Sequence, residues 1–550
     1  MVKALTMKVL IVPEPRKVKF TGRLLKFDGF KNFPEFLSRE FNIPRGGWNI
    51  VKVEREGNGV RVREGEVEVW GDERICYATL IQLVMQYDGS LPEVEVEESF
   101  NFGFRGFHLD IARGGVPKVE TFKRILRWLF LLKYNYFAIY FEDLFPWRSY
   151  PQIGKHRGGL TPEEYEEILN YGAKLGVEVF PSLELSGHME HILTLPEFRR
   201  FSEWHRPAEG CLNVSDKEAR EFAYTLLKDA IEASPSGYIH IGGDETWALG
   251  RGKSLSRTWS FEGPRLYEMH HRRMVEMVRK AGKTPILWGD MISGMYLRED
   301  REKWAEAIES EIWKEVIVAN WDYSPSPREH FLEKIRIFKD RGIEQIACPG
   351  LSNWNRYYPN FQTALKNLEN FLMAARDEGV MGFLITAWGD DGEECLFSFL
   401  DPLLLAAMEI AEGKGAWEEK WMALKGESGD ILKARFLFGE PDVSDMIKHV
   451  IYRDFWFKRL DEKRISAVES RWRSILEELN DVNLPEDLDF IRRCLIVGLK
   501  MIDREASPSD YIALANAYSR LWLDERKKEG LDRIIGRFWG AAGRIDAKII

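Results

Sequence analysis

The sequence predicts an α/β protein built on a (β/α)8 TIM barrel, with an N-terminal α+β domain and a C-terminal helical region. Three observations carry that reading. From about residue 100, short apolar or β-branched runs alternate with longer stretches of helical periodicity, eight times over. The runs are near-continuously apolar, as strands of a parallel sheet buried on both faces are. The stretch after the first run, "ARGGVPK" (112–118), lacks the GxGxxG spacing expected of a doubly wound nucleotide-binding sheet.

The elements follow in order. Residues 1–98 mix the alternating strands "KVKFTG" and "GVRVREGEVEVWG" with helical stretches and run into the linker-like "GSLPEVEVEESF"; they read as an α+β accessory domain. Residues 99–412 form the expected barrel. Its strands are "RGFHLDI" (105–111), "YFAIYFED" (136–143), "VEVFPSLE" (177–184), "YIHIGGDE" (238–245), "TPILWGDM" (284–291), "VIVANWDY" (316–323), "QIACPGLS" (345–352) and "GFLITAWGD" (382–390). Between them, "TPEEYEEILNYGAKLG" opens on Thr161 with Pro162 in the first turn and stops at Gly176, and "DKEAREFAYTLLKDAIEA" opens on Asp216 after Ser215. Residues 413–550 hold amphipathic stretches such as "DEKRISAVESRWRSILEELN" and "SDYIALANAYSRLWLDERKKEG". They read as a helical packing domain, or functionally as a homodimer interface or a lid over the barrel mouth.

Composition narrows the partners. A formal charge of −10 over 550 residues, with no dominant basic stripe, argues against nucleic acid. The apolar core of the first residues, "VLIV", is too short for a signal peptide, and "WLFLL" (128–132) is too short for a membrane span, so a cytoplasmic protein with no membrane partner is expected. Five scattered cysteines with no CxxC pair suggest neither a disulfide framework nor a zinc site, and no metal or cofactor is expected.

In this fold the active site gathers at the carboxyl ends of the strands. Those ends carry Asp110, Glu142 with Asp143, Glu184 with His188, Asp244 with Glu245, Trp288 with Asp290, Trp321 with Tyr323, Asn353 with Trp354 and Asn355, and Trp388 with Asp390. A single Trp at a strand end is more often packing, a lone His a satisfied structural residue, and a lone Asp-Glu pair a solvated turn. Together, carboxylates and aromatics without a basic cluster disfavour phosphate ligands and suit a neutral polyhydroxylated one.

"YIHIGGDETW" (238–247) places Asp244 and Glu245 side by side after a glycine-softened strand end. Most retaining glycosidases hold two carboxyl groups about 5–5.5 Å apart across the glycosidic bond, which neighbours in sequence cannot easily do. Adjacent acids suit another division: one donates a proton to the leaving oxygen, and the other steadies a substrate group that acts as nucleophile.

"HIGGDETW" resembles the signature of family 20 glycoside hydrolases, the β-N-acetylhexosaminidases. "FRGFHLDIAR" (104–113), "GVEVFPSLELSGHME" (176–190), "LWGD" (287–290), "ANWDY" (319–323) and "TAWGDDGEE" (386–394) resemble further strands of that barrel, over roughly residues 100–400. "IYFEDLFPW" departs from the common His-x-x-Asp-Asp form and is closer to the branch containing hexosaminidase D. The resemblance implies Glu245 as general acid and then base, and Asp244 as holder of the 2-acetamido N–H. The acetamido oxygen would attack the anomeric carbon to give an oxazolinium intermediate. It implies Arg105 on O3 and O4, Asp390 on O4 and O6, and Trp288, Trp321 and Trp388 as pocket walls. Tyr323 or Tyr357 would donate to the acetamido oxygen. Trp354 and Asn355 join the substrate-binding set, Glu142 and Asp143 match the second-strand acids by position, and His188 matches a histidine near the catalytic acid. The implied substrate is an N-acetylated amino-sugar oligosaccharide or glycoside. The alternatives are another retaining glycosidase on the same barrel and a non-catalytic sugar-binding protein.

Overall fold

The computed structural model describes residues 8–293, 301–305 and 307–547; the first seven residues of the expected accessory domain and the last three of the helical region lie outside them. Five strands, β1 (Lys17–Lys26), β2 (Asn49–Lys52), β3 (Asn58–Arg63), β4 (Glu66–Trp70) and β5 (Ser90–Glu98), form one sheet in the order β1-β5-β3-β4-β2. A buried helix, Glu73–Gln86, packs against it, started by Asp72, whose side chain accepts the Arg74 N–H at 2.9 Å.

The barrel comprises β6 (Phe104–Asp110), β7 (Tyr136–Tyr140), β8 (Glu178–Ser182), β9 (Tyr238–His240), β10 (Thr284–Trp288), β11 (Ile317–Trp321), β12 (Gln345–Cys348) and β13 (Gly382–Ala387). All pairings are parallel, and β13 closes on β6 from Gly382 opposite Phe104 to Ala387 opposite Leu109. Every expected strand is present; β6 matches its run in length, shifted by one residue, and the other seven are shorter than theirs. The difference matters most at β9, where the ladder ends at His240 and the following residues turn away to become the site.

The helices form where their ends are capped. Thr161 and Glu164 make a reciprocal capping box, with Pro162 in the first turn and Gly176 left-handed at the end. Asp216 accepts the Glu218 N–H at 2.8 Å to start Lys217–Ala233. In the C-terminal region, Asp461 caps Glu462–Glu478, whose buried stripe is Val468, Trp472 and Ile475, and Pro508–Glu525 starts on Ser507 and Asp510.

Inside the barrel, aromatics set the depth of the cavity. At the amino end Phe104 stacks on Tyr136 with centroids 4.1 Å apart, and Tyr238 meets both edge-on. Toward the carboxyl end, His108, His240, Trp288 and Trp388 make a second layer, with His240 and Trp288 centroids 4.3 Å apart and His108 and Trp388 centroids 5.0 Å apart. Burial keeps both imidazoles neutral: His240 falls to about 3, and His108 lies well below its usual value. Among the described residues no helix is long and apolar enough to cross a membrane.

Candidate active site

A cavity of about 250 Å³ opens on this layer, lined by Arg113, His188, Asp244, Glu245, Trp321, Tyr323, Trp354, Asn355, Trp388 and Asp390. The turn after β9 supplies its acids. Gly242 and Gly243 have φ of 71° and 96°, a region open to glycine at little steric cost. A Cβ on Gly242 would strike the Leu183 carbonyl and the Glu184 carboxylate, and one on Gly243 would lie 2.7 Å from the Tyr267 hydroxyl. The bend is tied down by hydrogen bonds. Gly242 N–H donates to His240 Nδ1 at 3.0 Å, Gly243 N–H to Glu184 at 3.2 Å, Glu245 N–H to Asp290 at 2.9 Å, and the Tyr267 hydroxyl to the Gly243 carbonyl at 2.8 Å.

Several residues around the site have left-handed backbone. Glu142, His188, Glu245 and Asn355 have φ of 47°, 49°, 47° and 60°. Each costs on the order of 1–3 kcal/mol, and the surrounding structure maintains them.

The two adjacent acids lie in unequal environments. Asp244 is buried, whereas the Glu245 side chain is 35% exposed at the cavity mouth. His188 Nε2 sits 3.5 Å from a carboxylate oxygen of each. Burial alone would raise Asp244, but the His188 charge, hydrogen bonds from His188 and Glu184, and Arg113 together bring it below its usual value. Burial and the Asp244 charge push Glu184 well above its ordinary value, so of the two neighbouring acids Glu184 holds its proton more tightly. His188 is the converse: burial opposes its charge, but Asp244 and Glu245 hold it well above the ordinary histidine value. Asp244 is therefore the acid of this buried pair that favours the ionised form, with His188 and Glu184 beside it.

Aromatic side chains wall the cavity and are oriented by hydrogen bonds. Trp388 Nε1 donates to the Tyr323 hydroxyl at 2.8 Å, Trp321 Nε1 to Asp290 at 3.2 Å, and Trp321 stacks on Tyr323 with centroids 5.0 Å apart. Asn353 braces Trp388 through both its backbone groups. Of the two candidate tyrosines, Tyr323 lines the cavity; Tyr357 is buried against the C-terminal helices, its hydroxyl 2.5 Å from that of Tyr452.

Four expected positions are corrected. Arg105 lies at the amino end of β6, far from the mouth, where it donates to the Phe102 and Lys133 carbonyls at 2.7 and 3.1 Å and stacks on Phe100. The arginine in the cavity is Arg113, just past the carboxyl end of the same strand. It donates to Asp110 at 2.7 Å, lies 3.2 Å from Glu142 and 4.0 Å from Asp390, and covers Tyr140 and Trp388. Trp288 is fully buried beneath the cavity, donating to Glu184 at 3.2 Å, and does not line it. Glu142 is also beneath, bracing Arg113; burial raises it to about 8 against the pull of Arg113. Asp143 is held by Arg157, outside the lining. Arg113 was legible: it ends the quoted "FRGFHLDIAR", and the rule that chemistry sits at carboxyl strand ends selects it over Arg105. Glu184 and Asp290 were visible as strand-end acids, but their bracing roles depend on contacts across strands.

Among the described residues, two donor groups could hold a cation: Glu142, His188 and Glu190, and His188, Asp244 and Glu245, each with ligand atoms within 4.8 Å of one another. Arg113 faces Glu142 and the His188 imidazolium faces the adjacent pair, so side chains already supply the positive charge there.

The profile described as "Glycosyl hydrolase family 20, catalytic domain" matches residues 102–389, more than half of the chain. The chain belongs to glycosyl hydrolase family 20. Among curated relatives, hexosaminidase D of Homo sapiens is 26% identical over 306 residues, covering 52% of this chain and 60% of that protein. The match thus leaves a substantial part of each chain unpaired, and it agrees with the hexosaminidase D resemblance of "IYFEDLFPW". Among solved structures, the Flavobacterium johnsoniae chitobiase aligns with a TM-score of 0.60 at 15% identity over 96% of this chain and 99% of that one. The Vibrio harveyi family 20 exo-β-N-acetylglucosaminidase, solved in complex with N-acetylglucosamine, aligns with a TM-score of 0.57 at 16% identity over 76% of each chain. Both share the fold, and the family 20 match spans every cavity-lining residue except Asp390, which lies one position past its end.

Proposed function

We propose that this family 20 chain is an exo-acting, retaining β-N-acetylhexosaminidase that works by substrate-assisted catalysis on terminal N-acetylglucosamine or N-acetylgalactosamine. The observation that carries the reading is the unequal pair: a buried, ionised Asp244 beside a mouth-facing Glu245. Two carboxylates so placed cannot attack a sugar from one side and protonate it from the other. They can serve two neighbouring atoms of one substrate.

Asp244 accepts the N–H of the 2-acetamido group and stabilises the positive charge that develops there. The Tyr323 hydroxyl donates to the acetamido oxygen and aims it at the anomeric carbon. As that oxygen bonds to carbon, the glycosidic bond breaks and Glu245 delivers its proton to the leaving oxygen. Water then opens the oxazolinium ring while Glu245 takes the proton back, and two inversions give net retention. Holding the oxygen in place replaces an intermolecular attack and is worth several kcal/mol. Trp388 packs under the sugar face, and Arg113 and Asp390 bind its hydroxyls. A cavity of about 250 Å³ is smaller than the roughly 300–1,000 Å³ of pockets for drug-sized ligands, which supports one terminal sugar at a time.

The deciding experiment compares an aryl N-acetyl-β-glucosaminide with the aryl β-glucoside bearing the same leaving group. The acetamido substrate is expected to turn over faster by several orders of magnitude. Equal rates would replace this reading with that of a glycosidase carrying its own nucleophile, and tight binding of both sugars without turnover would make the chain a sugar-binding protein.

A further inference from the structure

Asp390 reaches the cavity from a turn that nothing in the barrel itself holds fully. Its carbonyl accepts the Asn355 N–H at 3.2 Å, and the preceding Gly389 N–H donates to Asp110 at 2.8 Å. Beyond it, Asp391, Gly392 and Glu393 run through φ of 66°, 115° and 62°. Three consecutive left-handed residues, two of them not glycine, persist only where outside contacts impose them.

The turn's own bonds, from Gly392 and Glu393 N–H to the Gly389 carbonyl at 3.1 and 2.8 Å, leave the Asp391 and Glu394 side chains free to be gripped from outside, and that grip comes from the C-terminal helices. Lys448, in the helix Ile447–Tyr452, binds Asp391 and Glu394, each at 2.6 Å. Arg537, in the helix Leu531–Asp546, donates to Asp391 at 2.5 Å and also pairs with Glu394. The Tyr518 hydroxyl donates to the Glu394 carbonyl at 2.7 Å. Two cations and two carboxylates thus form a closed square around the turn, with Arg533 as a third positive charge 3.7 Å from Asp391. The Glu394 side chain is fully buried, so its charge depends on that square.

We propose that Lys448 and Arg537 are positioning residues for Asp390: by pinning Asp391 and Glu394 they fix the hydroxyl-binding end of the cavity from outside the barrel. The C-terminal helices are then part of the machinery that selects the sugar. This rests on the assignment of Asp390 to substrate hydroxyls.

The test measures KM and kcat for the aryl N-acetyl-β-glucosaminide and its C4 epimer, the galactosaminide. Lys448→Met removes one cation of the square. Asp391→Asn, at a side chain 45% exposed, releases the turn without stranding a buried charge and keeps the test open should the lysine variant misfold. Each is expected to raise KM about tenfold with kcat within about twofold, and to shift the preference between the epimers; Lys448→Arg restores both. Asp390→Asn serves as the reference. If it raises KM while folded Lys448→Met and Asp391→Asn keep wild-type KM and epimer preference, the positioning role is overturned. If Asp390→Asn itself changes neither, the Asp390 assignment fails and the positioning role falls with it.

Discussion

Arg105 and Arg113 flank the same barrel strand from opposite ends, and only Arg113 reaches the cavity. Arg113 is gripped by Asp110 and Glu142 and faces Asp390, which leaves its guanidinium fixed and charged. Arg105 satisfies two buried carbonyls at the barrel floor. The two arginines therefore give opposite kinetic signatures. Arg113→Lys loses the planar fork and should lower kcat/KM by roughly 10–100-fold, the equivalent of about 1.5–3 kcal/mol for a charged hydrogen bond. Arg105→Met should keep kcat/KM near wild type and lower the unfolding midpoint, because it strands the Phe102 and Lys133 carbonyls at about 1–3 kcal/mol. Steady-state kinetics beside thermal unfolding separates them; the reverse pattern would return the hydroxyl-binding role to Arg105.

Asp244→Asn keeps the shape of the site and, under the proposed mechanism, removes the charge that would stabilise a forming oxazolinium. Turnover should fall by roughly 10²–10³-fold, as when a single electrostatic stabiliser is removed from a dry site. Wild-type kcat in this variant would remove Asp244 from the chemistry.

Glu245→Gln should cost about 10²–10⁴-fold, the usual worth of general acid–base catalysis. Its loss on the bond-breaking step should shrink on aryl glycosides whose leaving group needs little protonation. A series of phenols of graded acidity, read by pre-steady-state release, checks this; equal losses across the series contradict the acid role.

Gly242→Ala places a methyl against the Leu183 carbonyl and Glu184 in a left-handed backbone. It should destabilise the protein by about 1–3 kcal/mol, and it should lower kcat because Glu184 and Asp244 move together. An unchanged unfolding midpoint with unchanged kcat would mean that the bend is not set at this glycine.

Glu142 gives a pH signature. Its folded value, about 8, lies above the ordinary Glu value, so the folded protein retains a proton that the unfolded chain releases. Stability from this group is full below about pH 4.3 and is lost as pH rises toward about 8. Glu142→Gln mimics the protonated form. The unfolding midpoint of the variant relative to wild type should therefore rise between pH 5 and 8. A constant difference over that range would show that Glu142 does not bind this proton.

The sequence by itself determined the barrel and the placement of Asp244 and Glu245 at the carboxyl end of one of its strands. Eight apolar runs at helical separation leave few ways to bury both faces of a sheet, and Gly242-Gly243-Asp244-Glu245 breaks a strand at its carboxyl end, the end at which this fold presents side chains to a ligand. Helix starts at Thr161 and Asp216 were also local, because a cap is satisfied by atoms two or three residues away. Only the tertiary structure decided which strand-end side chains face the cavity and in what ionisation state. Trp288 and Trp321 end neighbouring strands, yet one is sealed under the floor and the other forms a wall. Asp244 stays ionised because Glu184, His188 and Arg113 converge on it from other strands. The turn behind Asp390 is closed by helices more than fifty residues further along. Local order is written in near neighbours, whereas burial and Coulomb energy depend on distances that exist only once the chain has folded.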